Sequence, residues 1–468
     1  MRYGILMLAC CAALSAFAGT VGWRMDGSGR YPAATPPANW SATDHVAWAT
    51  ALPAWSNASP VLVGERIFVC AEPSTLLCLD RTGKICWQQH SDYVDLPVPG
   101  NQTDHSAALA DLDKQIMALS ADISNNRATI TALEITLKTD PTNTDAQEKV
   151  QAARREVVKG EKSLAVLQGQ REALAPPAEW KMPNTQAANG YSSDTPVSDG
   201  THIYASFGSG IVSCFTVDGT RQWTRFLEKP THVWGHSGSP VLVGDTLIVQ
   251  YLEMFGLDAK TGAVRWHAKH HHIWGTPAVA RLGTRDVILT DGGEVVNVAD
   301  GSTLATTGMP LEYNSPYFQD GILYCVSNDK ARAFQLALKD DGKVEVTRLW
   351  ETTVSRERYY ASPLLVDGLL YVVNKNGVLS VLDAKDGTLA YEQRLDLGGT
   401  VYPTPILAGK TILLSSDTGK SVTITPGRTY QELTRNTLDP YRTTPVCDGN
   451  RLYIRTTKKE SKLYCFEE

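Results

Sequence analysis

The chain lacks a long apolar run beyond its first 18 residues, an excess of positive charge, and closely spaced cysteine pairs of the kind that bind metal. Without an apolar run of about 20 residues, the rest of the sequence offers no transmembrane helix. The formal net charge is −6 and no basic run is present, which disfavours nucleic acid and anionic membranes as partners. No C-x-x-C pair occurs, so neither a structural zinc site nor a dithiol redox motif is indicated.

The first 18 residues have the composition of a signal peptide. Arg2 precedes an apolar stretch over 5–14, and the small-residue series Ala-Phe-Ala follows at 16–18. We therefore expect cleavage near Ala18 and a periplasmic or secreted mature protein. Cys10 and Cys11 raise the alternative of a lipoprotein anchor, which is less favoured because the residues before them fit a lipobox poorly.

Seven cysteines follow the signal segment, and this odd number leaves at least one thiol unpaired. Cys78 and Cys86 flank a turn at 80–84. Either a disulfide across this hairpin or two small strand residues would satisfy the pattern.

The most regular feature of the sequence is a Ser or Thr followed by Pro that opens a short apolar run eight times. The eight pairs are Ser59-Pro60, Thr195-Pro196, Ser239-Pro240, Thr276-Pro277, Ser315-Pro316, Ser362-Pro363, Thr404-Pro405 and Thr444-Pro445. Six of the seven intervals are 37 to 47 residues long, and the first, of 136 residues, is one interval plus an insertion. This period is typical of four-stranded propeller blades, which bury their faces only against one another.

Each repeat reads as four short strands separated by turn residues. In the sixth, apolar runs alternate with Asp367-Gly368, an Asn-rich turn at 374–377 and a further turn at 383–387. Tryptophans recur near the outer strands, and we interpret them as packing elements between neighbouring blades. They are Trp87, Trp223, Trp266 and Trp350.

The third repeat contains Leu257-Asp258-Ala259-Lys260-Thr261-Gly262, followed four residues later by Trp266. This series resembles the repeat of the PQQ-like, or quinoprotein-type, propeller family, which includes propellers of outer-membrane assembly. The resemblance implies an all-β, eight-bladed β-propeller of four-stranded antiparallel blades over 45–90 and 191–468. An N-terminal extension would occupy 19–44, and His45 to Leu52, with Trp48, would complete the eighth blade and close the ring.

The insertion at 91–190 predicts an antiparallel α-helical coiled-coil hairpin, with helices at about 103–138 and 144–175. Apolar residues step by three and four along both segments, and a breaker cluster separates them at 140–143. Antiparallel pairing aligns 137 with 146, 119 with 164 and 112 with 171, and places Ile123 opposite Gly160. We expect an arm that projects roughly 50 Å from the propeller and either binds a partner or has no binding role.

One aromatic residue per blade lies shortly before each proline, accompanied by histidines and arginines. The set is Trp55, Tyr191, His232, Trp234, His236, His271, Trp274, Tyr313, Arg358, Tyr360, Tyr402, Tyr441 and Arg442. Such a collar at the channel mouth would stack a planar anionic ligand or a glycan. Alternatively, the rings wedge the narrow ends of the blades together and plug the channel.

Catalytic motifs are sparse. The consecutive histidines at 270–272 cannot all point towards one metal, and no Gly-x-Ser-x-Gly nucleophile turn is present. Two functions stay open: a non-catalytic module without a cofactor that binds a protein, peptide or glycan, and a PQQ-dependent dehydrogenase with calcium. The first is favoured, since the mature sequence has no vicinal cysteine pair of the type that the resemblance implies for the dehydrogenases.

Overall fold

A computed structural model describes residues 20–96, 104–173, 182–271, 274–457 and 460–468. The predicted signal segment 1–18 therefore lies outside the described residues. Within them, eight sheets, each with four antiparallel strands, confirm the predicted eight-bladed propeller.

The strands follow the repeat closely. Two precede the first repeat, namely β1 (Arg30–Tyr31) and β2 (Val46–Ala51). Blades 1 to 4 contain β3 to β18, at Val61–Val63, Arg66–Ala71, Thr75–Asp80, Ile85–His90, Val197–Ser198, His202–Ser206, Ile211–Thr216, Arg221–Phe226, Val241–Val243, Thr246–Gln250, Met254–Asp258, Val264–Ala268, Ala278–Leu282, Arg285–Leu289, Glu294–Asn297 and Thr303–Thr306. Blades 5 to 8 contain β19 to β33, at Tyr317–Gln319, Ile322–Ser327, Lys330–Leu338, Val344–Thr353, Leu364–Val366, Leu369–Val373, Val378–Asp383, Leu389–Arg394, Ile406–Ala408, Thr411–Ser415, Lys420–Ile424, Glu432–Thr437, Val446–Asp448, Arg451–Arg455 and Lys462–Phe466.

The ring closes as the sequence predicts. Strand β2 pairs antiparallel with β33 and supplies the outer strand of blade 8, with Trp48 opposite Cys465. Strand β1 adds a parallel partner to β27 at the inner edge of blade 7. The amino-terminal residues therefore cover two strand edges that would otherwise be open.

Tryptophans connect neighbouring blades in one repeated geometry. Each indole Nε1–H donates to a backbone carbonyl of the next blade at 2.8 to 3.1 Å, from Trp48, Trp87, Trp223, Trp266 and Trp350. Each ring also lies against a turn glycine of that blade, leaving no room for a Cβ at Gly83, Gly219, Gly262, Gly301 and Gly387. These contacts confirm the predicted packing role.

The insertion forms a hairpin of two helices, α1 (Asp104–Thr139) and α2 (Thr144–Ala173). Its predicted pairing is confirmed at the centre, where a Cβ on Gly160 would lie 2.7 Å from Ile123 Cγ1. The predicted arm of roughly 50 Å also contacts the propeller, which the heptad pattern does not predict. Helix α1 packs against β6 and β2, and Met117 and Ala121 contact the cores beneath.

An ion-pair cluster fixes the base of the hairpin to blade 2. Buried Arg171 of α2 contacts Asp113 of α1 at 2.9 Å and Asp95 at 2.8 Å, and Arg221 of β10 contacts Asp95 at 2.8 Å. Asp95 belongs to a short 3-10 helix, Tyr93–Asp95. These neighbouring guanidinium groups hold the pKa of Asp95 below its usual value despite the opposing effect of burial.

All seven cysteines of the described residues are free, so Cys78 and Cys86 form no disulfide. Cys78 is buried and Cys86 is half-buried, where its Sγ accepts a hydrogen bond from Arg66 at 2.9 Å. Neither helix of the hairpin is apolar enough over a bilayer-spanning length to be a membrane span.

Candidate functional site

A closed ring of hydrogen bonds surrounds the central channel. In each blade, the backbone N–H of the Ser or Thr before the repeat proline donates to the side-chain hydroxyl of its counterpart in the next blade, at 2.9 to 3.1 Å. The ring runs through Ser59, Thr195, Ser239, Thr276, Ser315, Ser362, Thr404 and Thr444, and returns to Ser59. We call these eight residues the hydroxyl ring. A proline has no N–H of its own, so the preceding residue supplies the donor at each inner strand.

The hydroxyl ring lines a cavity of about 560 Å³ on the channel axis. Above it lie Trp234, Trp274, Tyr313, Arg358, Tyr360, Tyr402 and Arg442. Asn57, Gln186, Asn189 and Ser193 line the same cavity on the side of blades 1 and 2. The cavity therefore has a wall rich in aromatic rings facing a region rich in amides and hydroxyls.

The aromatic wall is continuous. Trp274 stacks on Tyr313 with ring centroids 5.5 Å apart, and Tyr313 meets Tyr360 edge-on at 5.1 Å. Tyr360 then stacks on Tyr402 at 4.7 Å, and the Arg442 guanidinium lies 4.6 Å from the centre of the Tyr402 ring. Because the rings support one another and remain half-exposed, they present a preformed apolar surface to the cavity.

Two arginines give this wall positive charge. Arg358 is exposed, lies over the Tyr313 ring at 5.5 Å and donates to Tyr360 Oη at 3.4 Å. That hydrogen bond is the main cause of a raised Arg358 pKa, so its guanidinium stays cationic. Arg442 donates to the Ala188 carbonyl at 3.0 Å, which connects blade 8 to the segment that returns from the insertion.

The amino-terminal segment closes the other end of the channel. Val21 bridges to Ser198 in blade 2, and Arg24 Nη1 donates to the Pro363 carbonyl of blade 6 at 3.0 Å. Between them, Trp23 lines the channel cavity and also a second cavity between residues 20–30 and the inner strands. Arg24 is almost fully buried, and this burial lowers the pKa of its guanidinium to about 10. The channel is therefore a pocket with one mouth.

Six of the thirteen predicted collar residues do not line the cavity. They are Trp55, Tyr191, His232, His236, His271 and Tyr441. Tyr441 is completely buried in the core of blades 7 and 8. His236 is buried beside Tyr251, whereas His232 supports the wall from behind, edge-on to Trp274 at 5.2 Å.

The remaining excluded residues have local roles. Tyr191 Oη donates to the Pro183 carbonyl at 2.6 Å, and the carbonyl of Trp55 accepts from the Glu72 N–H at 3.0 Å. His271 is exposed and its backbone N–H donates to Glu294 at 2.9 Å. An aromatic position in the repeat therefore does not by itself place a ring in the channel.

The pattern of aromatic and charged residues does not predict the polar lining of the cavity. The Ser/Thr-Pro repeat contains the hydroxyl ring, but the repeat alone predicts only where each inner strand begins. The amides that line the cavity, such as Gln186 and Asn189, belong to the return segment of the insertion and have no counterpart in other repeats.

The cavity has neither an acidic nor an imidazole group among its described lining residues. Elsewhere in the described part of the chain, no group of three or more His, Cys, Asp or Glu is arranged to hold a metal ion. The side chains that face the pocket therefore offer hydrogen-bond donors, ring faces and two guanidinium groups.

This architecture agrees with the comparison to known families. The family model described as "Outer membrane protein assembly factor BamB" matches three overlapping stretches, 38–217, 185–345 and 291–468. The chain belongs to this PQQ-like family. The matched stretches include all eight blades and the helical insertion.

Individual relatives are distant. The outer membrane protein assembly factor BamB of Yersinia pestis is 24% identical over 242 residues, which is 48% of this chain and 58% of the relative. BamB of Legionella pneumophila (strain Paris) is 26% identical over 210 residues, 41% of this chain and 51% of the relative. The chain therefore spans little more than half the length of each.

Among solved structures, BamB from Moraxella catarrhalis matches with 17% identity and a TM-score of 0.46, over 59% of this chain and 81% of that one. Saccharomyces cerevisiae Sqt1 matches with 13% identity and a TM-score of 0.44, over 58% and 82%.

Proposed function

We propose that this protein is a non-catalytic binding module outside the cytoplasm, and that the mouth of the propeller channel is its binding site. The observation that carries the proposal is the continuous wall of half-exposed rings over a pocket closed at its far end. Rings that served only to plug the channel would fill it, whereas here they border an open cavity.

A protein or peptide partner, or a glycan, is the ligand class that this mouth suits. Val233 and Trp234 are exposed by 70% and 54%, and they form the tip of a loop beside the pocket. Adjacent exposed apolar residues next to a cavity are typical of a recognition surface. Relatives described as factors of outer-membrane protein assembly support a scaffolding role with a protein partner.

The same site gives little support to the dehydrogenase alternative. Calcium in proteins is held largely by carboxylate and carbonyl oxygens, and removal of a substrate proton requires a base. The described lining residues include no carboxylate and no histidine for these tasks.

The helical hairpin offers a second surface for a partner, because Val158 and Val166 are exposed on α2.

Photocrosslinking tests the site. A photoreactive residue at Val233 is compared with one at Leu349, an exposed residue on the outer strand β22 of blade 5. We expect adducts in the native host from position 233 and none from 349. Equal labelling from both positions would contradict the proposal. So would dye reduction that is abolished by heat and requires PQQ, calcium and an alcohol or sugar.

Edman sequencing of the exported protein tests the separate prediction of cleavage after Ala18.

A further inference from the structure

The hydroxyl ring has a chemical property that its structural role does not use. Each of its hydroxyl oxygens accepts one backbone N–H from the preceding blade. Within the described part of the chain, none of these hydroxyls donates its own proton to a protein acceptor. Since a Ser or Thr hydroxyl carries one donor and two acceptor positions, the ring offers up to eight O–H donors around the pocket.

The two sides of the cavity differ in a way that matches a particular ligand shape. Aromatic residues line it at blades 3 to 7, whereas Arg442, Asn57 and the return segment at 186–193 line it at blades 8, 1 and 2. A sugar ring has an apolar C–H face and a rim of hydroxyl groups. The half-exposed rings of the aromatic wall suit the first, and the amides together with the hydroxyl ring suit the second.

Charge narrows the ligand class further. Arg358 and Arg442 are the charged residues among the described lining, and both are cations, of which Arg442 has a carboxylate partner in Asp417 at 3.9 Å. No ion pair joins Arg358 to a carboxylate in the described residues, so its guanidinium is available to an incoming anion. A bidentate contact with a carboxylate is the geometry that guanidinium groups favour.

We propose that the channel pocket binds an acidic saccharide, meaning a sugar ring that carries a carboxylate. The apolar face of the sugar lies against the aromatic wall, its hydroxyls bond to the hydroxyl ring and the amides, and its carboxylate pairs with Arg358. This proposal rests on the mouth being the binding site, and it names the ligand within the glycan class.

The experiment is a titration of the purified full chain followed by calorimetry and saturation-transfer NMR. The probes are glucuronate, galacturonate and N-acetylmuramic acid, with glucose as the neutral sugar and phthalate as a planar acid without a sugar ring. We expect the acidic sugars to bind at least 10-fold more tightly than glucose, with saturation transfer to their ring C–H protons. Equal affinity for glucuronate and glucose, no saturable sugar binding, or tighter binding of phthalate would overturn the proposal.

Two arginine variants from one loop test whether Arg358 is the side chain that pairs with the sugar carboxylate. Arg358→Gln should reduce glucuronate affinity about 10-fold, which corresponds to about 1.4 kcal/mol, and should reduce glucose affinity by clearly less. Arg356→Gln is the matched control, because Arg356 is also exposed but does not line the channel cavity. Equal losses in the two variants would overturn the assignment of Arg358.

A comparison of galacturonate with tetragalacturonate separates the two sources of this chemistry. Tighter binding of the tetramer would support an acidic polysaccharide as the source, and equal affinity would support a free sugar acid. The proposed function is judged separately by crosslinking from Val233. Adducts from that position without sugar binding would reject the saccharide and keep the mouth as the binding site.

Discussion

The backbone N–H of Thr444 donates to Ser59 Oγ at 3.1 Å across 385 residues of sequence. This hydrogen bond joins the last repeat to the first and completes the hydroxyl ring. Ring closure in this propeller therefore occurs at two radii, through this bond at the channel and through the pairing of β2 with β33 at the periphery. The ring residues thus combine a structural role with exposure to the pocket.

Removing one ring hydroxyl should destabilise the protein in a specific way. Thr444 Oγ1 accepts the Thr404 N–H at 3.1 Å, so Thr444→Val leaves a buried donor without its partner. We expect a loss of about 1 to 3 kcal/mol in the free energy of unfolding, measured by urea denaturation. Thr444→Ser keeps the hydroxyl and should lose less. Equal losses would show that the hydrogen bond contributes nothing beyond side-chain packing.

The inter-blade tryptophan contact is tested at a turn glycine. A Cβ on Gly262, where φ is +69°, would lie 2.6 Å from the Trp223 ring, whereas Gly244, at φ +60°, has no heavy atom within 4 Å of that position. Gly244→Ala should lower the free energy of unfolding by about 1 kcal/mol through backbone strain alone. Gly262→Ala also forces its new Cβ against the Trp223 ring, which should lower the free energy of unfolding by about 1 to 3 kcal/mol more. Thermal melts of the two variants that coincide would contradict this contact.

Local sequence patterns predict much of the fold. The features that they do not predict depend on contacts between segments that are distant in sequence. Repeat spacing predicts the blades and the place of Trp48, because each strand and turn is specified by neighbouring residues. The positions of Trp23 in the channel and of Met117 on the propeller rim depend on segments that meet only after folding. Tyr441 shows the same limit, since its repeat position predicts a pocket residue but its ring is buried in the core.

Stability should depend on pH through His90. Burial, reinforced by Arg171 and Arg221, lowers the pKa of His90 to about 4 from 6.5. Between these two pH values the unfolded chain binds a proton at His90 that the folded protein does not bind. His90 therefore lowers the free energy of unfolding as pH falls, by up to about 3 kcal/mol.

The His90 contribution is isolated by a difference measurement, because buried acids such as Asp194, whose pKa burial raises, act in the opposite direction. His90→Gln cannot titrate and retains a polar group towards Thr75, whose Oγ1 lies 2.9 Å from His90 Nδ1. The stability of wild type relative to the variant should fall between pH 6.5 and 4. A difference that is constant over this range would refute the assignment.

When its buried ion pair is broken, the base of the hairpin should unfold locally while the propeller stays folded. Arg171→Met leaves Asp113 with Arg221, at 3.8 Å, in place of its 2.9 Å partner, which should lower the local opening free energy by up to about 3 to 5 kcal/mol. Hydrogen exchange should then accelerate in α1 and α2 while the blades keep their protection. Arg154→Met, which removes an exposed pair with Glu134 on the same hairpin, should change exchange by less than about 1 kcal/mol. Similar changes in both variants would argue against an anchoring role for Arg171.

Two amino-terminal deletions distinguish closure of the ring from closure of the channel. Removing 20–44 takes away Trp23, Arg24 and the core residue Trp40 but keeps β2 on blade 8. We expect a lower melting temperature with a monodisperse protein. Removing 20–52 also deletes β2 and leaves the edge of β33 open, so this variant should in addition aggregate, as light scattering would detect. If both deletions remain equally monodisperse, the peripheral pairing of β2 with β33 is not what protects that edge, and the inner hydrogen bond from Thr444 to Ser59 is sufficient to hold the ring closed.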